Sequence, residues 1–223
     1  SFSVTPEKGF FYCFGCHAGG NVFKFISMIE NISYFDAVKL QAERLGIPLP
    51  SQKKSPQELE QENEEKILRK INEQAKDFYR NCLLKTAEGE TGRKYLNSRG
   101  ITNSVIENFQ LGYAPNSWDS LAREFTNRGF HFKQLISAGL VSERKSGDGV
   151  YDRMRGRVII PIADIFGHIV GFGGRILNAD KEKNSPKYLN TPETILFNKR
   201  NLLFGLDKAH NSISKKNSAI VVE

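Results

Sequence analysis

The sequence predicts a mixed α/β (α+β) fold divided into a small cysteine-bearing unit and a larger α/β domain. The first observation is a short aromatic strand that runs into a Cys-x-x-Cys turn and is followed by two amphipathic helices. The second is an extended stretch poor in apolar residues at 48–56, which is typical of a linker. The third is a long helical pattern that gives way, after Val150, to short apolar runs typical of strands.

The first unit, residues 1–47, begins with a predicted strand at Gly9–Tyr12. Asn21 is expected to cap the helix that follows, and Ser33 is expected to cap a second helix. Gly46 and Pro48 would end that second helix, because glycine favours the left-handed position after a helix and proline cannot continue one.

The larger domain begins with a helix predicted from residue 57 to about residue 84. Its apolar stripe is expected to be Ile67, Ile71, Ala75, Phe78 and Cys82. Shorter helices are predicted at 92–97, 103–109 and 118–128, and the helical spacing of Trp118 and Phe125 predicts that both are core residues. A hairpin is predicted between Arg157–Ile162 and His168–Phe172, with further strands at Leu202–Leu206 and Ala219–Val222.

Composition narrows the class of protein. With 39% hydrophobic and 26% charged residues among 223, the chain has the composition of a globular protein and not of a disordered one. No apolar run approaches the ~20 residues of a membrane span, and three cysteines are too few for a disulfide framework. We therefore expect no membrane and a reducing, cytoplasmic compartment. The chain begins without Met and ends, by pattern, within a strand at Ile220–Glu223, so we expect a fragment.

Positive charge is concentrated in the last third of the chain. The net charge is +7, and residues 144–223 hold 14 Lys and Arg against 8 Asp and Glu. This excess predicts a phosphate-binding surface, although a solvated basic face would have the same composition. Arg153, Arg155 and Arg157 alternate and are predicted to share one face of a strand, where they either line a groove or form a solvated edge.

Cys13 and Cys16 form a Cys-x-x-Cys turn, which presents two thiolates at the angle that zinc requires. Structural zinc takes four ligands, but Cys82 belongs to the predicted helical stripe and His17 is too close to Cys16 for an easy third ligand. Two interpretations stay open. The pair is half of a zinc site whose other ligands lie upstream of Ser1, or it is redox-active, for which the expected βαβ setting is missing.

Several segments, taken together, resemble the bacterial DnaG-type DNA primases. They follow the family's order over nearly the whole chain: Tyr12-Cys13-Phe14-Gly15-Cys16 with Gly19-Gly20-Asn21, Tyr95–Ile101, Leu111–Pro115, Tyr151–Ile162, Gly171–Arg175, Pro186–Thr194 and Phe197–Lys199. Each segment is a weak signal alone, and the ordered set is specific. Val221-Val222-Glu223 is similar to the start of the TOPRIM fold.

The resemblance implies a domain order and a set of site residues. Residues 1–47 would be a zinc-ribbon remnant, 48–56 a linker, and 57–223 a primase core that enters a TOPRIM fold at 219–223. Cys13 and Cys16 would be half of a Zn²⁺ site, completed by a Cys and a His upstream, and Glu223 would be the catalytic carboxylate of a Mg²⁺ (or Mn²⁺) site. The implied template- and nucleotide-binding residues are Arg99, Arg175, Lys187, Tyr188, Asn190 and Lys199.

The chemistry of these residues suits such a site. Lys187, Tyr188 and Asn190 offer a cation, a stacking face and an amide within four residues. Glycines 171, 173 and 174 precede Arg175, and they either allow a ligand to approach the backbone or belong to a β-bulge. A carboxylate at a strand end, such as Glu223, is suited to hold a divalent cation.

The function implied by the resemblance is DNA-templated synthesis of short RNA primers for replication. Its partners would be a single-stranded DNA template, ribonucleoside triphosphates and an RNA–DNA hybrid, with a replicative helicase contacted outside this chain. The two aspartates that complete the family's magnesium site are missing from this sequence, so we expect the chain alone to be inactive. Two alternatives are a non-catalytic zinc-ribbon module that binds single-stranded DNA, and another TOPRIM enzyme, either a topoisomerase or a nuclease.

Overall fold

The computed structural model describes residues 2–30, 32–49, 55–144, 147–177 and 185–221. The chain forms two compact units, one of Ser1–Ser55 with Gly205–Glu223 and one of Pro56–Phe204. Both contain helices, and sheets are present in each, so the predicted mixed α/β class is confirmed. The division before Pro56 lies at the end of the predicted linker, whereas the predicted domain of 57–223 includes the segment from Gly205 onward that groups with the first unit.

A three-stranded antiparallel sheet opens the first unit. Its strands β1 (Phe2–Thr5), β2 (Phe10–Cys13) and β3 (Gly19–Asn21) lie in chain order. Gly9 makes the turn into β2 with a φ of 64°, in the left-handed region that glycine adopts at little steric cost. Strand β2 is the predicted aromatic strand, and its Phe11 is buried against the rings of Phe2 and Phe25.

Two capped helices follow the sheet, α1 (Val22–Ile29) and α2 (Tyr34–Leu45). Both predicted N-caps are confirmed. The side chain of Asn21 accepts a hydrogen bond from the backbone N–H of Lys24, and the hydroxyl of Ser33 accepts one from the backbone N–H of Asp36. Gly46 ends α2 with a φ of 63°, as the sequence predicts.

The predicted strands at Leu202–Leu206 and Ala219–Val222 are wrong as far as the structure describes them. Instead of the first predicted strand, the chain forms a further helix, Leu206–Lys216, in the first unit. The residue before this helix, Gly205, has a φ of 77°. Residues 218–221 have no regular secondary structure, and residues 222–223 lie outside the described part. A strand needs a neighbour to pair its backbone groups, and no described strand pairs with either segment.

The second unit is organised around α3 (Pro56–Lys85), the predicted long helix. The predicted stripe is correct at Ile71, Ala75 and Cys82, which are buried. It is wrong at Ile67, which is exposed, and the core takes Leu68, Tyr79 and Leu83 instead. The helical period predicts which side of a helix is apolar. Which residues at the margin of that side become buried depends on where the neighbouring elements pack.

Four shorter helices surround α3: α4 (Gly89–Ser98), α5 (Asn103–Asn108), α6 (Ser120–Asn127) and α7 (Phe132–Ser137). The sequence predicts α4, α5 and α6, but it does not predict α7. Gly89 is required by packing, because a Cβ there would lie 2.1 Å from the backbone oxygen of Cys82 on α3. Within the described ranges, no helix combines the length and the apolar composition needed to cross a bilayer.

A four-stranded antiparallel sheet lies beside these helices, in the order β4-β7-β8-β9. Its strands are β4 (Gly112–Ala114), β7 (Arg157–Ala163), β8 (Ile169–Ile176) and β9 (Tyr188–Asn190), and β5 (Val141–Glu143) pairs separately with β6 (Val150–Asp152). The predicted β7–β8 hairpin is confirmed, with Ile160 opposite Gly173. Strand β9 is not predicted.

The two faces of this sheet pack against different helices. Ile159 and Phe172 lie in the core that includes residues of α3, α6 and α7. Val158 packs on the other side, with Leu96 of α4 and Ile106 of α5. Because directly paired residues of an antiparallel sheet point to the same side, Arg175 shares this second face with Val158.

The turn of the β7–β8 hairpin is held by Asp164. Its Oδ1 accepts hydrogen bonds from the backbone N–H groups of Phe166 and His168, both at 3.0 Å, and its Oδ2 lies 3.4 Å from Nη1 of Arg69 on α3. Burial acts to raise the pKa of Asp164, but the hydrogen bonds from His168 and the charges of His168 and Arg69 outweigh it and leave the pKa below its ordinary value. Asp164 therefore tethers the hairpin to α3 in its ionised form.

Candidate nucleic-acid interface

Arg175 is the centre of the predicted surface. It lies on β8, where its guanidinium carbon is 5.1 Å from the ring centroid of Tyr95 on α4 and 5.4 Å from that of Tyr188 on β9. Its Nη1 donates a 2.6 Å hydrogen bond to the carbonyl of Ile176, and its buried Nε has no partner among the described residues. Two aromatic faces therefore hold a half-buried cation in one orientation.

The β8–β9 register brings the other motif residues to the same edge. Tyr188 is paired with Arg175, and Asn190 is paired with Gly173, so all four lie on one face of the sheet. Lys187 precedes the pair and is exposed, with Nζ 5.9 Å from the Tyr188 ring centroid. This face therefore offers cations for phosphate groups, an exposed aromatic ring and an amide side by side.

The remaining predicted residues lie on segments next to this face or outside the described residues. Arg99 is exposed at the end of α4, one turn after Tyr95, whose carbonyl accepts from the Arg99 N–H at 3.2 Å. Lys199 is exposed in a short 3₁₀ helix, with its N–H donating to a carboxylate oxygen of Glu193 at 3.1 Å. Glu223, the predicted catalytic and magnesium-binding carboxylate, lies outside the described residues.

Arg153, Arg155 and Arg157 do not lie on one strand as predicted. Strand β6 ends before Arg153, Gly156 turns the chain with a φ of 57°, and β7 begins at Arg157. Arg157 is buried and donates a 3.2 Å hydrogen bond to the carbonyl of Gly174. The three arginines nevertheless line one cleft of about 180 Å³ together with Tyr151, Ser185, Pro186 and Leu189, as the groove interpretation expects.

Trp118 is not a core residue as predicted, because 59% of its surface is exposed. Helix α6 begins only at Ser120, so Trp118 precedes it and does not share the buried face of Phe125. The guanidinium carbon of Arg155 lies 4.1 Å from the Trp118 ring centroid, and the Tyr151 ring is 5.8 Å away. An exposed aromatic residue beside arginines suits base stacking. The sequence signal for it is the set of polar residues on either side of Trp118, namely Asn116, Ser117 and Asp119, which is typical of a loop.

Asp152 connects the arginine segment to α6. Its buried carboxylate accepts hydrogen bonds from the backbone N–H groups of Leu121 at 2.8 Å and Ala122 at 3.0 Å, at the start of that helix. Burial raises the pKa of Asp152, and these hydrogen bonds oppose the rise. Its backbone carbonyl accepts a hydrogen bond from Arg155. The half-buried Arg155 is therefore hydrogen-bonded to the backbone of a residue whose carboxylate holds the start of α6.

The first unit carries the cysteine turn. The backbone N–H of Cys13 donates to the carbonyl of Ala18, and that of His17 donates to the carbonyl of Cys13, both at 2.8 Å. In the ranges the structure describes, no three His, Cys, Asp or Glu side chains are arranged to hold a metal. Cys13 is half-buried and Cys16 is exposed, and their role as two of the four ligands of a zinc site stays a prediction. Cys82 is buried as predicted, and burial raises its pKa to about 11.

Two families match the chain. Residues 78–210 match the DNA primase catalytic core, N-terminal domain, and residues 1–57 match the CHC2 zinc finger. The first match covers more than half of the 223 residues. The second includes Cys13 and Cys16 and supports zinc as the metal of the cysteine turn.

Relatives and solved structures agree with these matches. A DNA primase of Halalkalibacterium halodurans is 44% identical over 223 residues, which are 100% of this chain and 36% of that protein. A crystal structure of the Aquifex aeolicus primase, with zinc binding and RNA polymerase domains, is 36% identical with a TM-score of 0.60 over 97% of this chain and 49% of that chain. A DnaG primase catalytic domain bound to single-stranded DNA is 35% identical with a TM-score of 0.61 over 67% of this chain and 46% of that chain. Although it spans only about a third of the length of the curated relative, the chain belongs to the DnaG-type family of bacterial DNA primases.

Proposed function

We propose that this chain serves the DNA-templated synthesis of short RNA primers and that its second unit binds template and nucleotide. The observation that carries the proposal is the face of β8 and β9 on which Arg175, held between two tyrosines, lies beside Tyr188 and Asn190. The relatives are named DNA primase, and a similar catalytic domain is described as bound to single-stranded DNA. The family match favours this function over a topoisomerase or nuclease.

Each residue of this face has a chemical task in the proposal. Arg175 and Lys187 neutralise phosphate charge, and Arg175 does so as a planar donor that its aromatic neighbours keep in one orientation. Tyr188 offers an exposed ring for base stacking, and the Asn190 amide offers both a donor and an acceptor. Arg99 and Lys199 extend the positive surface on the flanking segments.

The chemical step itself lies with residues outside this face. Primer synthesis joins nucleotides by attack of a 3′-hydroxyl on an α-phosphate, and divalent metal offsets the charge on the attacking and leaving oxygens. We assign Glu223 to that magnesium site as one of its carboxylates. We further propose that the protein acts at the replication fork in the bacterial cytoplasm, with an RNA–DNA hybrid as product and a helicase contact outside this chain.

Binding of a fluorescent single-stranded oligonucleotide, followed by anisotropy over a range of salt concentrations, tests the proposal. Arg175→Ala and Lys187→Ala should each weaken binding by about tenfold, or ~1.4 kcal/mol, because each removes a phosphate contact. Each should also lower the slope of log K against log salt by about 0.7, as expected for one contact to a single strand. Lys70→Ala is the matched control, because Lys70 is exposed on α3 and its Nζ lies 6.0 Å from the ring centroid of Phe130, which packs on the core at the opposite face of the sheet.

The outcomes separate the candidate functions. Equal losses at Arg175, Lys187 and Lys70 would mean non-specific charge attraction and would refute the proposed face. Specific binding by this chain, combined with no primer synthesis by a longer protein that contains it, would favour the non-catalytic single-stranded-DNA-binding module. Primer synthesis by that longer protein, lost on Arg175→Ala, would support the primase.

A further inference from the structure

We call the cleft lined by Tyr151, Arg153, Arg155, Arg157, Ser185, Pro186 and Leu189 the arginine cleft. It lies on the opposite face of the four-stranded sheet from Arg175. That residue is paired with Val158 on β7 and with Tyr188 on β9. Because successive residues of a strand point to alternate faces, the neighbouring Arg157 and Leu189 point away from Arg175. The ligand of the arginine cleft therefore does not share the face proposed for template and nucleotide.

The arginine cleft contains three positive charges, and none of its lining residues has a carboxylate. Arg157 is buried, while Arg153 and Arg155 are half-buried. Cations that line so small a volume repel one another, and burial strengthens the repulsion because less water screens it. A negatively charged ligand would offset this repulsion, so the cleft favours an anion.

Neutral groups of the protein hold Arg153 and Arg155 in place. Arg153 Nη1 donates a 2.9 Å hydrogen bond to the hydroxyl of Ser142, and its buried Nε has no hydrogen-bond partner among the described residues. Arg155 donates to the backbone carbonyl of Asp152, and its guanidinium carbon lies 4.1 Å from the ring centroid of Trp118. These contacts orient the two guanidinium groups without neutralising them. Phosphate oxygens are acceptors that such planar donors fit.

The size of the arginine cleft restricts its ligand. Its volume of about 180 Å³ is below the ~300–1,000 Å³ of pockets that enclose drug-sized molecules, so the cleft is too small for a whole nucleotide. A nucleic-acid strand carries one negative charge per phosphate, spread along its backbone. A small anion with several charges on adjacent phosphate groups matches three converging cations better.

We infer that the arginine cleft binds a small, multiply charged phosphate anion, with pyrophosphate as the best match. Two linked phosphate groups offer several negative charges and acceptor oxygens without a base or sugar. The inference goes beyond the proposed function, in which the 3′-hydroxyl attacks the α-phosphate of a nucleoside triphosphate and displaces pyrophosphate. That reaction would supply the anion, but the cleft and its charges do not depend on it.

The test is titration calorimetry on the full chain, without Mg²⁺ and at constant ionic strength. Pyrophosphate should bind at a single site and orthophosphate more weakly. Dimethyl phosphate, which imitates the singly charged backbone, should bind about tenfold or more weaker than pyrophosphate. Arg153→Gln should lower the affinity for pyrophosphate by about tenfold or more, because it removes one charge and keeps a donor for Ser142. The matched control Arg123→Gln removes an exposed charge of α6 outside the cleft and should bind pyrophosphate as the wild type does.

Thermal unfolding separates the binding of the anion from the folding of the chain. Without pyrophosphate, Arg153→Gln should unfold at the temperature of the wild type or above it, because one of three repelling charges is gone. Pyrophosphate should raise the unfolding temperature of the wild type and of Arg123→Gln, since a ligand that binds the folded state stabilises it. It should have little effect on Arg153→Gln.

Other results overturn the inference. A wild-type chain that does not bind pyrophosphate would refute it, and equal losses in Arg153→Gln and Arg123→Gln would show general charge attraction only. Equal affinity for dimethyl phosphate, or a loss of oligonucleotide affinity in Arg153→Gln as large as its loss of pyrophosphate affinity, would assign the cleft to a nucleic-acid backbone. If Arg153→Gln lowers the unfolding temperature, Arg155→Gln is measured in its place, and unchanged pyrophosphate affinity there refutes the inference. A chain that binds pyrophosphate but no oligonucleotide would support the inference and refute the proposed function.

Discussion

Replacing Tyr95 by Leu should weaken binding of single-stranded DNA without removing any charge. Tyr95 lies with its ring centroid 5.1 Å from the Arg175 guanidinium and also packs against the core under α4. Leu keeps the apolar packing and removes the aromatic face. A cation–π contact contributes ~0.5–1 kcal/mol at exposed sites and ~2 kcal/mol when desolvated. For the half-buried Arg175 we expect a loss of about 1 kcal/mol, or about fivefold in affinity.

The salt dependence of DNA binding distinguishes a residue that positions Arg175 from a residue that contacts phosphate itself. Tyr95→Leu should leave the slope of log K against log salt unchanged, because the number of phosphate contacts is unchanged. Arg175→Ala should lower that slope by about 0.7, and Tyr95→Phe, which keeps the ring, should bind as the wild type does. The unfolding temperature is measured alongside to confirm that α4 stays packed. Unchanged affinity of Tyr95→Leu, or a loss of slope equal to that of Arg175→Ala, would refute the reasoning.

Three further outcomes are expected. After dialysis the chain should hold well under one zinc ion, because Cys13 and Cys16 supply two of four ligands; stoichiometric, chelator-resistant zinc would contradict this half-site. Asp164→Asn should lower the free energy of unfolding at pH 7 by about 1–2 kcal/mol, since it loses charge-assisted hydrogen bonds. The pKa of Asp164 is lowered by folding, so its contribution is present above the unfolded pKa and lost as pH falls through the folded one. The difference between the two proteins in a denaturant titration should therefore shrink below about pH 4, and a constant difference would argue against it. In a longer protein that contains this chain, Glu223→Gln should reduce dinucleotide synthesis on a single-stranded template about a hundred-fold or more while DNA binding persists; near wild-type synthesis would remove Glu223 from the active site.

Features set by neighbours in the chain could be predicted from the sequence. The caps at Asn21 and Ser33, the stop at Gly46 and the helix Pro56–Lys85 all depend on hydrogen bonds and side-chain periodicity within a few residues. The β7–β8 hairpin follows from apolar runs on either side of a tight turn. The sequence likewise predicts the motif of Lys187, Tyr188 and Asn190, because a cation, an aromatic ring and an amide for nucleic-acid binding lie within four residues.

The tertiary structure decided which residues meet and which are buried. Nothing in the local sequence pairs Arg175 with Tyr188, or sets Tyr95 against Arg175, because these contacts depend on the β8–β9 register and on how α4 packs. Trp118 was predicted as core from its spacing to Phe125, but α6 begins after it. The alternation of Arg153, Arg155 and Arg157 predicts one shared strand face, but Arg157 is buried and donates to the carbonyl of Gly174. Burial and register are properties of elements far apart in the chain, so a short window of sequence cannot determine them.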